Sequence, residues 1–213
     1  MPKKTIIRVL TLLVLTGVLS GCFGFGSIQI DSDDTPHYYV IDVERGAVAT
    51  EFTKDRVLLL KPIRVTPHFR GRTLIFRVGE NEYQPQPAHK LFNDPSEMFT
   101  EQLRRWLQKT GLFSQVVLSE TVPADMVLET AITALYGEQR DQFSPQAILE
   151  MQFFLMTNDQ KNTKLLFQTG LRVDVDIEQS SPAAVVKGWK QGLEELFSTV
   201  EDDFSGYFTK VSP

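Results

Sequence analysis

One cysteine and three histidines are all that 213 residues carry of the side chains most used for covalent and metal chemistry. A single thiol excludes an intrachain disulfide and any paired-cysteine metal site. Nucleophilic hydrolysis needs a serine or cysteine beside a base, usually histidine. His37 follows an acidic stretch, His68 lies in a proline-flanked loop and His89 in a second loop, and no Gly-x-Ser-x-Gly elbow accompanies them. His-Glu-x-x-His is absent, and no glycine-rich phosphate loop follows a strand, so the chain is not expected to hydrolyse ATP itself. Asp31, Asp33 and Asp34 form a short acidic run without the glycine and distal glutamate of a dedicated calcium loop, and read as solvated chain. Basic excess is lacking too. The net charge of −5 argues against nucleic acid, whose binders show basic patches. No catalytic, cofactor-binding or metal-binding residue is assigned.

Long apolar runs are also missing. Lys3, Lys4 and Arg8 precede the uncharged stretch VLTLLVLTGV (residues 9–18), which ends at the small residues Ser20 and Gly21. A spanning helix needs about 20 apolar residues, and this run is too short. A basic start, a short apolar middle and a small-residue end form a secretory signal over residues 1–21. Residues 19–22, LSGC, resemble the lipobox of bacterial lipoprotein signals. That resemblance implies that Cys22 becomes the first mature residue, linked through its sulfur to diacylglycerol and acylated on its amine, with no other cofactor. Each buried acyl methylene contributes about 0.8 kcal/mol and stable anchoring needs two signals, which a triacylated terminus exceeds. Phe23 stands where an inner-membrane retention signal would resemble an aspartate, which favours the inner leaflet of the outer membrane, facing the periplasm. Without residues 1–21 the net charge is about −8, so the acyl group rather than a polybasic surface is expected to hold the chain to its membrane.

Residues 22–37, rich in glycine and acids, read as a lipidated tether. The domain is expected over residues 38–208. Strand composition marks residues 38–43 (YYVIDV), 57–65 (VLLLKPIRV, with Pro62 arguing for an edge or a break) and 73–78 (TLIFRV), with Gly79-Glu80-Asn81 as a hairpin loop before Tyr83. The period then changes. Asp94 as cap, Pro95, Glu97 and the closing Gly111 bracket a helix with Phe99, Leu103, Trp106 and Leu107 on one face; Arg104, Arg105 and Lys109 read as its solvated side. Strands are expected at 115–118 and 125–136, and residues 147–157 and 164–177 flank a turn-rich 158–162 as a long antiparallel hairpin. In that hairpin Met151, Phe153 and Leu155 oppose Glu150 and Gln152, and Val173, Val175 and Ile177 oppose Asp174 and Asp176, so one face is covered and one wet. The cover is a last helix after Ser181-Pro182, striped by Val185, Trp189, Leu193, Leu196, Val200 and Phe204. The expectation is a single-domain α+β fold: a mostly antiparallel sheet with two helices packed on one face.

Taken in order, Cys22, Tyr38-Tyr39-Val40-Ile41, the proline-interrupted 57–65, Tyr83 ahead of a helix with Leu103 and Leu107, Gly111-Leu112-Phe113, the 127–135 strand, the hairpin and the Trp189 helix resemble the ABC-type transport auxiliary lipoproteins, the PqiC-like group. The resemblance spans nearly all the mature chain. It implies a non-catalytic auxiliary component of an ABC/MCE-type intermembrane lipid transport system, held by its lipid, with an MCE-type periplasmic protein or ABC transporter components as partners and self-association left open. Two alternatives stand beside it. One is a periplasmic lipid carrier with Phe153, Phe154 and Phe167 lining a pocket, against which ordinary core packing is weighed. The other is a structural lipoprotein of an envelope assembly or secretion machine. The exposed sheet edge near Pro62 and the 158–162 loop are the candidate docking points.

Overall fold

The computed structural model describes residues 35–211 except 52, 54, 55 and 160. The signal, Cys22, the tether up to residue 34 and the Asp31–Asp34 run lie outside the described residues. The described chain runs β1 (His37–Tyr39), β2 (Val57–Leu60), β3 (Arg64–Val65), a 3-10 turn (Pro67–Phe69), β4 (Thr73–Arg77), β5 (Tyr83–Leu91), α1 (Pro95–Lys109), β6 (Gln115–Val117), β7 (Met126–Glu138), β8 (Gln146–Thr157), β9 (Leu165–Asp176) and α2 (Pro182–Val211).

β7 organises the sheet. One of its edges pairs along its length with β8, which pairs in turn with β9, both antiparallel. Its other edge is divided among β2, β3 and β4, each parallel to it over two or three residues. β6 extends the sheet beyond β2, while β5 and then β1 extend it beyond β4. The fold is therefore the expected single α+β domain with two helices, and the sheet is mixed: its long ladders are antiparallel, but most strand pairs are short parallel ones. The proline explains the short pieces. Pro62 interrupts what would be one strand, and Ile63 instead gives its N–H to Thr100 Oγ1 (2.9 Å) while its carbonyl accepts from Ser96 Oγ (2.6 Å), both on α1. The edge near Pro62 is thus occupied by α1, and β2 lies between β6 and β7, so this candidate docking edge is not open.

Two further expectations change. Residues 40–43 leave the sheet after Tyr39, because their inward N–H groups find partners on α1: Ile41 N–H meets Met98 Sδ at 3.4 Å and Val43 N–H donates to Gln102 Oε1 at 3.0 Å. β5 runs through Pro85 and Pro87 to Leu91, so His89 is in a strand and not a loop. Only its last three residues pair with β1, and a proline without an N–H is tolerated where one side of a strand is open. Asp94 occupies the N-cap position without a side-chain cap bond. Gly111 ends α1 at φ +76°, the left-handed conformation that glycine adopts without strain, and a Cβ there would fall 2.4 Å from the Glu51 carbonyl.

Both helices cover one face. The α2 stripe is buried throughout, from Val185 to Phe204, as are Met151, Phe153 and Leu155 beneath it. Trp106 of α1 meets Phe197 of α2 edge-on at 5.6 Å and donates from Nε1 to Glu201 (3.0 Å), which also receives a bidentate bond from Arg45 (2.6 and 2.8 Å). The basic side of α1 is not simply solvated. Arg105 pairs with Asp42 (2.7 Å) and Glu44, and Lys109 with Glu44 (2.6 Å), which fastens the 42–45 segment to the helix; Arg104 pairs with Glu101. Among the described residues the buried side-chain hydroxyl of Thr130, 1% exposed and opposite Phe153, has no hydrogen-bond partner. A buried hydroxyl left unsatisfied costs about 1–3 kcal/mol. Thr130→Val is therefore expected to stabilise the domain by about 1 kcal/mol, read as a rise in the urea midpoint at unchanged slope.

Candidate docking surface

The face of β7, β8 and β9 away from the helices follows from strand alternation, with one interruption. Residues 128, 130 and 132 of β7 point to the helices, but a bulge between Ile132 and Ala134 shifts the phase by one residue. Beyond it Gly137 faces the helix side, where a Cβ would meet Phe76 and Val185. Tyr136 and Glu138 consequently turn to the helix-free face.

There Tyr136 joins an aromatic group brought by the 3-10 turn and β5. Phe69 stacks on Tyr136 (5.9 Å), Tyr83 meets Tyr136 edge-on (5.6 Å) and Phe69 edge-on (5.8 Å), and His68 lies 4.3 Å from Phe69. Charges surround this group. Arg77 lies 5.8 Å from the Tyr83 ring, and Arg140 grips Glu138 through two bonds (2.8 and 2.7 Å) with its guanidinium 4.1 Å from Phe143. Further along, Thr133 Oγ1 donates to Glu150 (2.6 Å) and Arg172 pairs with Asp174 (2.8 Å) and, more loosely, Glu150 (3.7 Å). The Asp174 hydrogen bond, with a smaller contribution from Tyr136, holds Arg172 firmly protonated. The sequence pairs Asp174/Asp176 and Glu150/Gln152 lie on this face as expected. Arg172 fills the space between Asp174 and Glu150, so these carboxylates form an ion-paired surface rather than a two-carboxylate catalytic site.

Glu138 feels two opposed effects. Burial pushes its carboxyl up, and the hydrogen bonds from Arg140 pull it down further, leaving it below its ordinary value of 4.5. A carboxyl depressed in the folded state contributes stability that is present above the unfolded value and disappears as pH falls through the folded one. Glu138→Gln is therefore expected to lower the urea midpoint at pH 7, with the gap to wild type closing as the pH drops below 4.5. A gap that stays constant across that range would show that the pair contributes nothing through ionisation.

β9 bounds this face, and its outer edge has no strand partner among the described residues. Alternating exposed residues line it, Gln168, Gly170, Arg172, Asp174 and Asp176; charges and glycine on a long edge discourage indiscriminate pairing while leaving the backbone free for a specific partner. The 158–162 loop closes the hairpin at the far end of the same edge.

The other sequence candidates do not converge. Phe153 is buried under the helices and Phe167 meets Phe204 of α2 edge-on (5.6 Å), whereas Phe154 sits on the opposite face. These three rings do not line one pocket. His37 and His89 stack at 4.9 Å in neighbouring strands, with Tyr39 Oη 2.8 Å from His89 Nδ1, while His68 lies in the aromatic group. Among the described residues no three His, Cys, Asp or Glu side chains come together to hold a metal, and no helix is long and apolar enough to cross a membrane.

The arrangement is an α+β domain with one face sealed by helices; the other carries ion pairs, an aromatic group in which Phe69 and Tyr136 are buried and Tyr83 is exposed, and a strand edge without a strand partner among the described residues. The chain belongs to the family of ABC-type transport auxiliary lipoprotein components, whose family model matches residues 39–201. Among solved structures it is similar to a Xanthomonas campestris protein of the DUF330 family, at 15% identity over 77% of this chain and 92% of that one, with a TM-score of 0.66. An uncharacterised protein is similar at 12% identity over 79% and 98%, with a TM-score of 0.58. These likenesses show the fold. No curated protein matches the sequence.

Proposed function

We propose that the chain is an outer-membrane-anchored, non-catalytic adaptor of an ABC/MCE-type intermembrane lipid transport system. It is lipidated at Cys22 by a diacylglycerol and an amine-linked acyl chain, and it faces the periplasm. The observation that carries the reading is the extent of the family match, which takes in all strands from Tyr39 onward and most of α2, together with the lipobox-like residues 19–22. The helix-free face and the β9 edge are the docking surface for the lipid-conducting partner, through strand addition and charge pairing around Arg172. The energy for transport comes from the partner, which holds the nucleotide. The separation of Phe153 and Phe167 from Phe154 weighs against a carrier.

The test places a photo-crosslinking residue at Gln168, on the free edge, and at Lys190, on exposed helix α2, in the native host. Capture of an MCE-type protein from Gln168 and not from Lys190 is the expected result. Recovery of intact membrane complexes without any MCE-type or ABC-transporter component, from either position, would sink the proposal.

A further inference from the structure

Tyr38, Val40 and Phe92 are 51%, 62% and 59% exposed, an apolar group at the β1 edge of a domain whose other large side chains are mostly covered. The group is built rather than frayed. Phe92 N–H donates to the Tyr39 carbonyl (2.8 Å) and Leu91 N–H to the Arg72 carbonyl (2.7 Å), which ties the end of β5 to β1 and to the loop before β4. Arg72 bonds the Phe92 carbonyl (3.1 Å) and lies 5.8 Å from the Tyr38 ring, which meets Phe92 edge-on at 6.2 Å. Cations are close by in an otherwise acidic chain: Arg72 is exposed, and Lys90 is opposite Tyr38 in register. The neighbouring acids along the sequence are Asp31, Asp33 and Asp34 ahead of β1, Asp42, already paired with Arg105, and Asp94.

Chain order says what meets this group. Cys22 precedes Tyr38 by 16 positions, a length that spans at most about 55 Å fully extended and about 20 Å as a random coil. β1 is therefore the first element of the fold that the chain reaches after the anchor. Aromatic rings with adjacent arginine and lysine are the side chains that settle at the headgroup level of a bilayer. We infer that the Tyr38–Val40–Phe92 group, with Arg72 and Lys90, rests on the phospholipid surface that carries the anchor and sets the domain edge-on to it. The sheet order β1-β5-β4-β7-β8-β9 then holds the free β9 edge about 24 Å away, at roughly 4.8 Å per strand, presented to the periplasm. This inference rests on anchoring through residue 22, but not on the natural lipid.

The lone thiol allows the two to be separated. The compact unit begins at Thr35, so the chain from Cys22 onward contains all of it and can be coupled through that thiol to maleimide-headgroup lipid in phosphatidylethanolamine vesicles containing phosphatidylglycerol. Tryptophan is placed at Phe92 in one variant and at Leu165, exposed on β9 at the opposite sheet edge, in another; the buried Trp106 and Trp189 of wild type supply the background. With acyl chains brominated near the headgroup, Phe92→Trp fluorescence is expected to fall about twofold, since interfacial side chains sit at the headgroup–acyl boundary, and Leu165→Trp fluorescence to stay unchanged. Equal quenching at both positions, or none at Phe92→Trp, overturns the edge-on contact. Flotation of the lipoprotein purified from its own membranes tests natural anchoring separately, so a failure of either reading is seen without the other.

Discussion

Exported behind an ordinary cleavable signal, a variant with Ser in place of Cys22 is expected to move from almost wholly membrane-bound to almost wholly soluble, with its thermal unfolding unchanged. A serine cannot form the thioether, and the replacement signal avoids leaving an uncleaved apolar leader to hold the chain in its place. The size of the effect follows from chain arithmetic. A single myristoyl chain gives marginal, reversible binding, whereas two or three acyl chains at about 0.8 kcal/mol per buried methylene hold firmly. The Tyr38–Phe92 edge cannot replace them, being a small patch that acts once the anchor has brought it near the bilayer. Fractionation with a carbonate wash reads the outcome. Retention of the Cys22→Ser chain in the membrane pellet would show that the folded domain binds there by itself, and the proposed role of the acyl chains would fall.

The parts of the fold that could be read from the sequence are those where a local period meets a long element. In β8 and β9 strict alternation separates Met151, Phe153 and Leu155 from Glu150 and Gln152, so the buried face was legible residue by residue. The α2 stripe, from Val185 to Phe204, was legible for the same reason, over about five and a half turns. Short strands behave differently. Whether β2, β3 and β4 pair parallel with β7 depends on which distant segment buries them, and nothing in VLLL or TLIFR states the partner. Residues 40–43 carry strand composition yet hydrogen-bond to α1, a choice made by the tertiary neighbours Met98 and Gln102.

The β7 part of the proposed docking face was missed for a specific reason. The strand expected over residues 125–136 carries one alternation throughout, which places Tyr136 with Thr130 and Ile132. The bulge at Thr133 reverses that, and the trace was present in the sequence: the inward residues run 128, 130, 132 and then 135 and 137, one position out of phase. Glu138 and Arg140, two apart across a strand end, were a second trace. The aromatic partners Phe69 and Tyr83 come from separate loops and strands, and their meeting at Tyr136 is set by topology alone. Cys22 lies at the other extreme, a local motif legible without any fold.

Trp189→Ala is expected to cost about 3–5 kcal/mol, the largest loss of stability among single changes on α2. Trp189 is 1% exposed and donates from Nε1 to the Ile148 carbonyl at 3.0 Å. It sits where the helix comes closest to the sheet: at neighbouring Gly188 a Cβ would lie 2.5 Å from that of Ala147, and at Gly192 2.8 Å from Val173. Helix and hairpin are too near for another side chain to slide into the space, so the truncation leaves a cavity and removes the hydrogen bond to the Ile148 carbonyl together. For a domain of this size the midpoint should fall by about 10 °C or more. Trp189→Phe, which keeps most of the ring and loses the N–H bond, should lose less than half as much. A drop under about 1 kcal/mol for alanine would mean that α2 is not seated on β8 through this ring, since even modest core truncations exceed that. The contrast with Cys22 is the useful one. Serine at position 22 should leave a folded docking face in the wrong place, and alanine at 189 should leave an anchored chain whose β8–β9 face has lost its support. Capture of the partner should fail in both, with fractionation normal only in the second and unfolding normal only in the first.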